Sequence, residues 1–223
     1  MAENKKSCRD FAESLKSDSV IKIFVGEEIG QKPYLVARSI LEGTAESFQK
    51  ALQHAQNFGS GELDVLRFPK DDKVAWEVLL YWMLRGTLPA PGSLETEYRD
   101  HHGTDCYDGH LVRCWCLGDK YGIYAFQNEI MVQLILLVEC NDLASSVLRD
   151  ALENTAPGSK LRNICMEDLV VGLNEGSLEP EELDLFDGVV GFISAFRTAM
   201  LHSLRVQREM RREPGCMEDV YGW

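Results

Sequence analysis

The alternation of apolar and polar positions predicts three strands near the start of the chain. The β-branched run Val20–Val25 is closed by Gly26 and is typical of a strand. After a polar turn, Pro33–Ala37 predicts a second strand that forms a hairpin with the first. Leu63–Phe68 alternates in the same way and stops at Pro69, which has no backbone N–H to donate to a neighbouring strand.

Elsewhere the apolar residues recur every three or four positions, which predicts helices. A short amphipathic helix is predicted over Ser7–Leu15, within the N-terminal residues 1–17. Further helices are predicted to begin at Ile40 and at Thr44, and another to follow Asp71–Asp72 and end at Gly86. The remaining predicted helices are Leu111–Tyr121, Ala125–Glu139, Leu143–Leu152, Ser159–Gly176, one that begins at Pro180, and Val189–Arg212. The last of these should present one apolar face, made of Val189, Phe192, Ile193, Phe196, Met200 and Leu204.

Strands confined to the first third of the chain and helices after them define the fold class as α+β, mostly helical. We expect one domain over residues 1–140 and a helical C-terminal extension over residues 141–223. Pro89–Gly109 is rich in proline, glycine and polar residues and predicts an inserted surface loop of about 20 residues, which is long for a compact domain.

The charge balance narrows the function classes. The 223 residues include 36 acidic and 23 basic side chains, for a net charge of −13, which disfavours binding to nucleic acid. No apolar run approaches the roughly 20 residues that span a bilayer, so no membrane association is expected. The first residues lack the apolar core of a signal peptide, and seven cysteines suggest reduced thiols. We therefore expect an intracellular protein, in the cytoplasm or the nucleus.

Acidic residues are concentrated between Met166 and Gly188, a stretch that contains no Lys or Arg. A solvated surface is the ordinary interpretation, and a docking surface for a basic partner is the alternative. The candidate docking residues are Glu175, Glu179, Glu181, Glu182 and Asp184. The arginines of the last helix could instead pair with this stretch within the chain; they are Arg205, Arg208, Arg211 and Arg212.

Three stretches together resemble a BTB/POZ domain, of the kind that a helical tail follows in fungal proteins. The first two are VIKIFVGEEIGQKPYLVARSIL, from Val20, and LRFPKDDKVAWEVLLYWMLRG, from Leu66. The third is LVRCWCLGDKYGIYAFQNEIMVQL, from Leu111, and its DKYG followed by QN is the most specific match. Residues 153–162 resemble the start of the helical tail in those proteins. The resemblance implies a three-stranded sheet flanked by helices and a non-enzymatic protein–protein interaction module, without a cofactor, that forms homodimers and recruits partners.

The resemblance also indicates candidate interface residues. If the N-terminal helix and the first strand form the homodimer contact, the candidates are Phe11, Leu15, Asp18, Ser19 and Arg38. Many relatives have Asp where this chain has Ser19, and His where it has Ala37. In relatives that bind corepressors, the Asp and the basic residue that this chain keeps as Arg38 line a charged pocket. The missing His and the displacement of the Asp to Asp18 weaken the case for a corepressor. A substrate adaptor of a cullin-type ubiquitin ligase is a second function that the resemblance permits.

A metal-dependent enzyme is a third function class to weigh. The potential ligands are His101, His102, Cys106, His110, Cys114 and Cys116. Their spacing does not match the pattern of tetrahedral zinc sites, and Cys114 is expected to be a buried apolar residue. We therefore predict neither a metal site nor catalytic residues.

Two further groups have ordinary structural explanations. Asp71 and Asp72 could form an acid–base pair, but capping of the following helix explains both carboxylates. Trp82 and Trp115 are expected in the core, with Trp76 nearer the surface.

Overall fold

The computed structural model describes Arg9, Glu13, Lys16 and residues 18–27, 30–57, 64–92, 107–140 and 143–212. Contacts divide the chain into two compact units, Met1–Ile130 and Met131–Trp223. The domain boundary after residue 140 stays a prediction. Over the described residues, the helices all fall short of the length and apolarity that a membrane crossing requires.

The sheet of the first unit has three strands, β1 (Val20–Val25), β2 (Tyr34–Ala37) and β3 (Val65–Phe68). Their order is β2-β1-β3, with β1 antiparallel to β2 and parallel to β3. Alternate residues of β1 are buried, since side chains of a strand point to opposite faces. The mostly helical α+β class and the predicted hairpin are therefore confirmed.

Five helices of the first unit have bounds within the described residues: α1 (Arg38–Thr44), α2 (Glu46–Asn57), α3 (Lys73–Arg85), α4 (Tyr107–Tyr121) and α5 (Tyr124–Cys140), which begins there. The predicted start and the predicted end of α3 are both confirmed. The Asp72 carboxylate accepts a hydrogen bond from the Ala75 N–H at 2.7 Å, and Gly86 ends the helix with φ 72°.

The predicted loop Pro89–Gly109 extends too far at its C-terminal end. Tyr107–Gly109 belong to α4, while residues 93–106 lie outside the described part of the chain. Gly109 and His110 are buried. Burial of this first turn therefore overrides the low helix propensity of Gly109.

Four aromatic rings, those of Phe48, Phe68, Trp76 and Tyr121, form one cluster in the core of the first unit. The closest pair is Phe68 and Trp76, whose ring centroids are 4.5 Å apart. The expectation that Trp76 lies nearer the surface is wrong, because its side chain is 0% exposed. From its position on α3, Trp76 faces the rings of Phe68 on β3 and Phe48 on α2. The spacing of apolar residues along α3 does not reveal this by itself.

The second unit contains α6 (Ser145–Glu153), α7 (Lys160–Glu175), a 3₁₀ helix (Pro180–Phe186) and α8 (Phe192–Arg212). The Ser159 hydroxyl caps α7 by accepting from the Arg162 N–H at 3.2 Å, and Gly176 ends it, as predicted.

Two predictions for the second unit need correction. The helix at Pro180 is a 3₁₀ helix, closed at its start by a capping box between Glu179 and Glu182. The last helix begins at Phe192 rather than Val189, because Gly191 precedes it with φ 74°, outside the helical region.

A buried arginine holds three parts of the second unit together. The Arg162 guanidinium on α7 donates to the backbone carbonyls of Leu152 at 2.9 Å and Thr155 at 3.2 Å, and also to that of Val190. These carbonyls belong to the end of α6, the turn before α7 and the segment before α8. One side chain thereby satisfies three backbone acceptors, and its bonds to Leu152 and Thr155 are buried.

We expect Arg162→Met to lower the free energy of unfolding by about 2–4 kcal/mol, because the methionine fills the space but leaves buried carbonyls without donors. Lys160→Met, at an exposed position of the same helix, is the matched control and should change stability by less than about 0.5 kcal/mol. Urea unfolding measures both. Equal unfolding free energies for the two variants would contradict this role for Arg162.

Candidate interaction surfaces

Three candidate interface residues meet where β1 begins. Both oxygens of the Asp18 carboxylate accept from the Ser39 N–H at 3.2 Å, and one also accepts from the Ser39 hydroxyl at 2.5 Å. The Ser19 carbonyl accepts from the Arg38 N–H at 2.9 Å, and the Arg38 Nε donates to Glu42 at 2.7 Å. Asp18, Ser19 and Arg38 therefore anchor the first turn of α1.

Asp18 supplies a helix cap that the sequence analysis missed. Ala37, the residue before α1, offers no side-chain cap, and Asp18 caps the helix from 21 positions earlier in the chain. Capping is recognised in a sequence by a residue adjacent to the helix. A remote cap leaves no such local pattern.

The remaining interface candidates, Phe11 and Leu15, lie outside the described residues. The described neighbours Arg9, Glu13 and Lys16 are helical and exposed, and the Lys16 ammonium lies 2.7 Å from the Glu13 carboxylate. These three are polar residues of the predicted amphipathic helix. An interface role for Phe11 and Leu15 stays a prediction.

One face of the sheet is turned outward and carries apolar side chains. On this outer sheet face Val20 is 53% exposed and Leu35 is 65% exposed. Val20 pairs with Ala37 and Lys22 pairs with Leu35, so Val20 and Leu35 are diagonal neighbours across β1 and β2. The Arg67 guanidinium covers Phe24 on the same face, 4.4 Å from its ring centroid. The outer sheet face thus exposes two aliphatic side chains at its β2 side.

The acidic stretch is not uniformly solvated. Asp168 is buried, and its carboxylate accepts from the Leu143 N–H at 3.1 Å. Glu179 and Glu182 cap the 3₁₀ helix, and a hydrogen bond from the Ser145 hydroxyl lowers the pKa of Glu182. The other three candidate docking residues are exposed: Glu175, Glu181 and Asp184. A docking role for the stretch, and its pairing with the C-terminal arginines, stay predictions.

A groove of about 720 Å³ runs between α7 and α8 in the second unit. Its polar lining includes the Glu167 carboxylate on α7 and the His202 and Arg205 side chains on α8. Small residues also line it, among them Gly158, Gly191 and Ala195. The lining therefore combines charges of both signs with positions of little side-chain bulk.

The potential metal ligands are only partly described. His101, His102 and Cys106 lie outside the described residues, within which no group of three or more His, Cys, Asp or Glu could hold a metal ion. Cys114 is buried, as expected, and this burial strongly raises the pKa of its thiol.

Asp71 has a different role from that of its neighbour Asp72. Its side chain is 3% exposed and accepts three hydrogen bonds, from the Trp76 indole at 2.8 Å, the Tyr121 hydroxyl at 2.6 Å and the Lys120 ammonium at 2.5 Å. The expectation that both aspartates cap α3 is therefore wrong for Asp71. Its partners Lys120 and Tyr121 lie on α4, far along the chain, so no local pattern reveals them.

Comparison with known proteins supplies no identity for the chain, since no family model matches it and no curated protein matches it. Its function is therefore inferred from its residues and their geometry.

We expect Asp71→Ala to lower the free energy of unfolding by about 3–4 kcal/mol. The substitution removes the acceptor for two buried donors, the Trp76 indole and the Tyr121 hydroxyl, and each unsatisfied donor costs about 1–3 kcal/mol. Asp72→Ala is the matched control, because it removes a helix cap worth about 1 kcal/mol. Urea unfolding should show the larger loss for Asp71→Ala, and a larger loss for Asp72→Ala would contradict the assignment.

Stability above pH 9 tests the same contact. Burial, and then the hydrogen bond to Asp71, raise the pKa of Tyr121 well above its ordinary value of 10.0. Because the folded state keeps this proton after the unfolded chain has lost it, the free energy of unfolding falls as the pH rises above about 10, by up to about 1.4 kcal/mol per pH unit. Tyr121→Phe removes that contribution.

At pH 8 we expect Tyr121→Phe to be about 1–2 kcal/mol less stable than the natural chain, because the hydrogen bond to Asp71 is lost. The difference should shrink between pH 9.5 and pH 11 in urea unfolding. A difference that stays constant over this range would show that the phenol ionises equally in both states.

Proposed function

We propose that the chain is a non-enzymatic protein–protein interaction module with a BTB/POZ-like fold, which forms homodimers through its outer sheet face and the segment that precedes β1. The element order of the first unit supports the fold part of this proposal. A β1–β2 hairpin, two helices, a third strand parallel to β1 and then helices occur in the order that the resemblance implies.

The contacts of the residues that carry the resemblance add further support. In the DKYG segment, Lys120 and Tyr121 bind Asp71, and Asp71 itself belongs to the second resembling stretch. The Asp119 carboxylate accepts from the Gln127 amide at 3.1 Å, and Gly122 ends α4 with φ 68°. Each residue of DKYG, and Gln127 after it, thus has a structural reason to be present.

The function rests on one observation, the exposure of Val20 and Leu35 as diagonal neighbours on the outer sheet face. An aliphatic side chain gains about 1.5–3 kcal/mol when it passes from full exposure to full burial, and these two, which are 53% and 65% exposed, can gain part of that. A contact that removes both from water offsets part of the cost of association.

A second copy of this chain is the occupant that we propose for the outer sheet face. The face continues along the chain into the predicted amphipathic helix, whose residues Phe11 and Leu15 would supply further apolar surface. A short helix is marginal by itself and gains its stability by burying its apolar side. A symmetric dimer uses the same patch on both chains, so one patch of this kind suffices.

The test is sedimentation velocity of the full chain over a concentration series up to high micromolar. We expect a dimer for the natural chain and a monomer for the double variant Val20→Asp with Leu35→Asp, since four carboxylates would then meet at a symmetric contact. Leu84→Asp is the matched control, because Leu84 is also exposed in the first unit but lies at the end of α3. It should remain a dimer.

Two results would contradict the proposal. A natural chain that is monomeric throughout the series excludes homodimers as its mode of action. A double variant that remains dimeric, while circular dichroism shows that it is folded, places the dimer contact elsewhere.

A further inference from the structure

Helix α8 has two apolar faces, and only one of them is used within the second unit. Phe192 and Ala199 are buried, and Phe192 stacks between Phe186, at 5.0 Å, and Phe196, at 5.7 Å. Helix α8 also packs along α7. This face anchors the helix to its unit.

The second face is exposed, and one of its residues, Leu201, also borders the groove between α7 and α8. Ile193 is 74% exposed, Leu201 is 50% exposed and Leu204 is 44% exposed. With about 100° of rotation per residue, these three lie between about 100° and 180° around the helix from Phe192. The prediction that Ile193 and Leu204 share one apolar face with Phe192 is therefore wrong. We call Ile193, Leu201 and Leu204, together with Arg197 and Arg208, the outward face of α8.

The charged residues of the outward face, Arg197 and Arg208, are both basic. Arg197 lies one helical turn after Ile193 and one turn before Leu201, and Arg208 follows Leu204 by one turn, so the arginines alternate with the aliphatic residues. Glu209 is the one acidic residue among the described side chains of α8, and the rotation per residue places it about 80–160° around the helix from the residues of the outward face. The outward face thus combines aliphatic side chains with arginine and lacks a carboxylate of its own helix.

These features select among possible occupants. Exposed apolar surface beside polar groups is typical of interaction sites. Two copies of this face would bring arginines together, which opposes self-association through it. An anionic membrane would attract the arginines, but its extended negative surface would also face the rest of a chain whose net charge is −13, whereas a single helix meets this face alone. An acidic helix with its own aliphatic stripe matches both the shape and the charge.

We propose that the outward face of α8 binds an acidic amphipathic helix of a partner protein. Leucines of the partner helix would pack against Ile193, Leu201 and Leu204, and its glutamates would pair with Arg197 and Arg208. This surface lies in the second unit and does not depend on the homodimer contact proposed for the first.

The experiment uses the full chain and two synthetic helical peptides with the same leucine stripe. One peptide has glutamate at the flanking positions and the other has lysine. Fluorescence anisotropy should show binding of the glutamate peptide and at least about tenfold weaker binding of the lysine peptide. Binding of the glutamate peptide should also weaken with added salt.

Variants of the chain locate the contact. We expect Arg197→Glu with Arg208→Glu to weaken binding of the glutamate peptide at least about tenfold and to strengthen binding of the lysine peptide. An unfolded variant does not produce such a reversal. Ile193→Asp should weaken binding of both peptides. Lys160→Glu, a charge reversal at an exposed position of α7, is the matched control and should leave both affinities unchanged.

Four results would overturn the proposal. The glutamate peptide does not bind at millimolar concentration, or the two peptides bind equally. The double arginine variant still binds the glutamate peptide, or Ile193→Asp dissociates a homodimer. Binding of the chain to phosphatidylserine vesicles that the double arginine variant abolishes, without binding of the glutamate peptide, would assign the face to a membrane instead.

Discussion

The first unit depends on one buried carboxylate. Asp71 lies at the end of β3 and at the start of α3, and it binds the indole of Trp76 on α3 and the hydroxyl of Tyr121 on α4. The same two rings pack with Phe48 and Phe68, so one acceptor fixes the orientation of rings from four elements. A cluster of large rings without this acceptor would bury two polar hydrogens at a cost similar to the gain from packing.

Polar groups that reach across long stretches of chain organise both units in the same way. Asp18 caps α1 from the chain before β1, and Arg162 binds carbonyls before and after its own helix. Each of these side chains satisfies backbone groups that local structure leaves without partners. The apolar residues drive the collapse, whereas these contacts select which segments meet.

In each unit, one element has apolar side chains in the core and other aliphatic side chains that are exposed. On the sheet, Ile21, Ile23 and Val25 form the core, while Val20 and Leu35 face outward. On α8, Phe192 faces the unit while Ile193, the next residue, is exposed. The first surface can serve a symmetric contact of identical chains. The second is bordered by arginines and suits a partner of opposite charge.

Local features of the fold were predictable from the sequence because their causes lie within a few residues. The strand alternation, the Asp72 and Ser159 caps and the terminating Gly86 and Gly176 depend on adjacent backbone groups, and the structure has them where the sequence analysis expected them. A candidate surface was harder to predict, because periodicity identifies apolar positions but not which of two faces finds a partner.

The sequence by itself thus determined the elements, their approximate ends and the α+β class. Tertiary structure alone decided that Trp76 is buried, that Asp71 binds rings instead of capping a helix, and that Ile193 and Leu204 face outward. The physical reason is that burial and buried hydrogen bonds depend on residues far apart in the chain, whereas helix and strand patterns depend on neighbours.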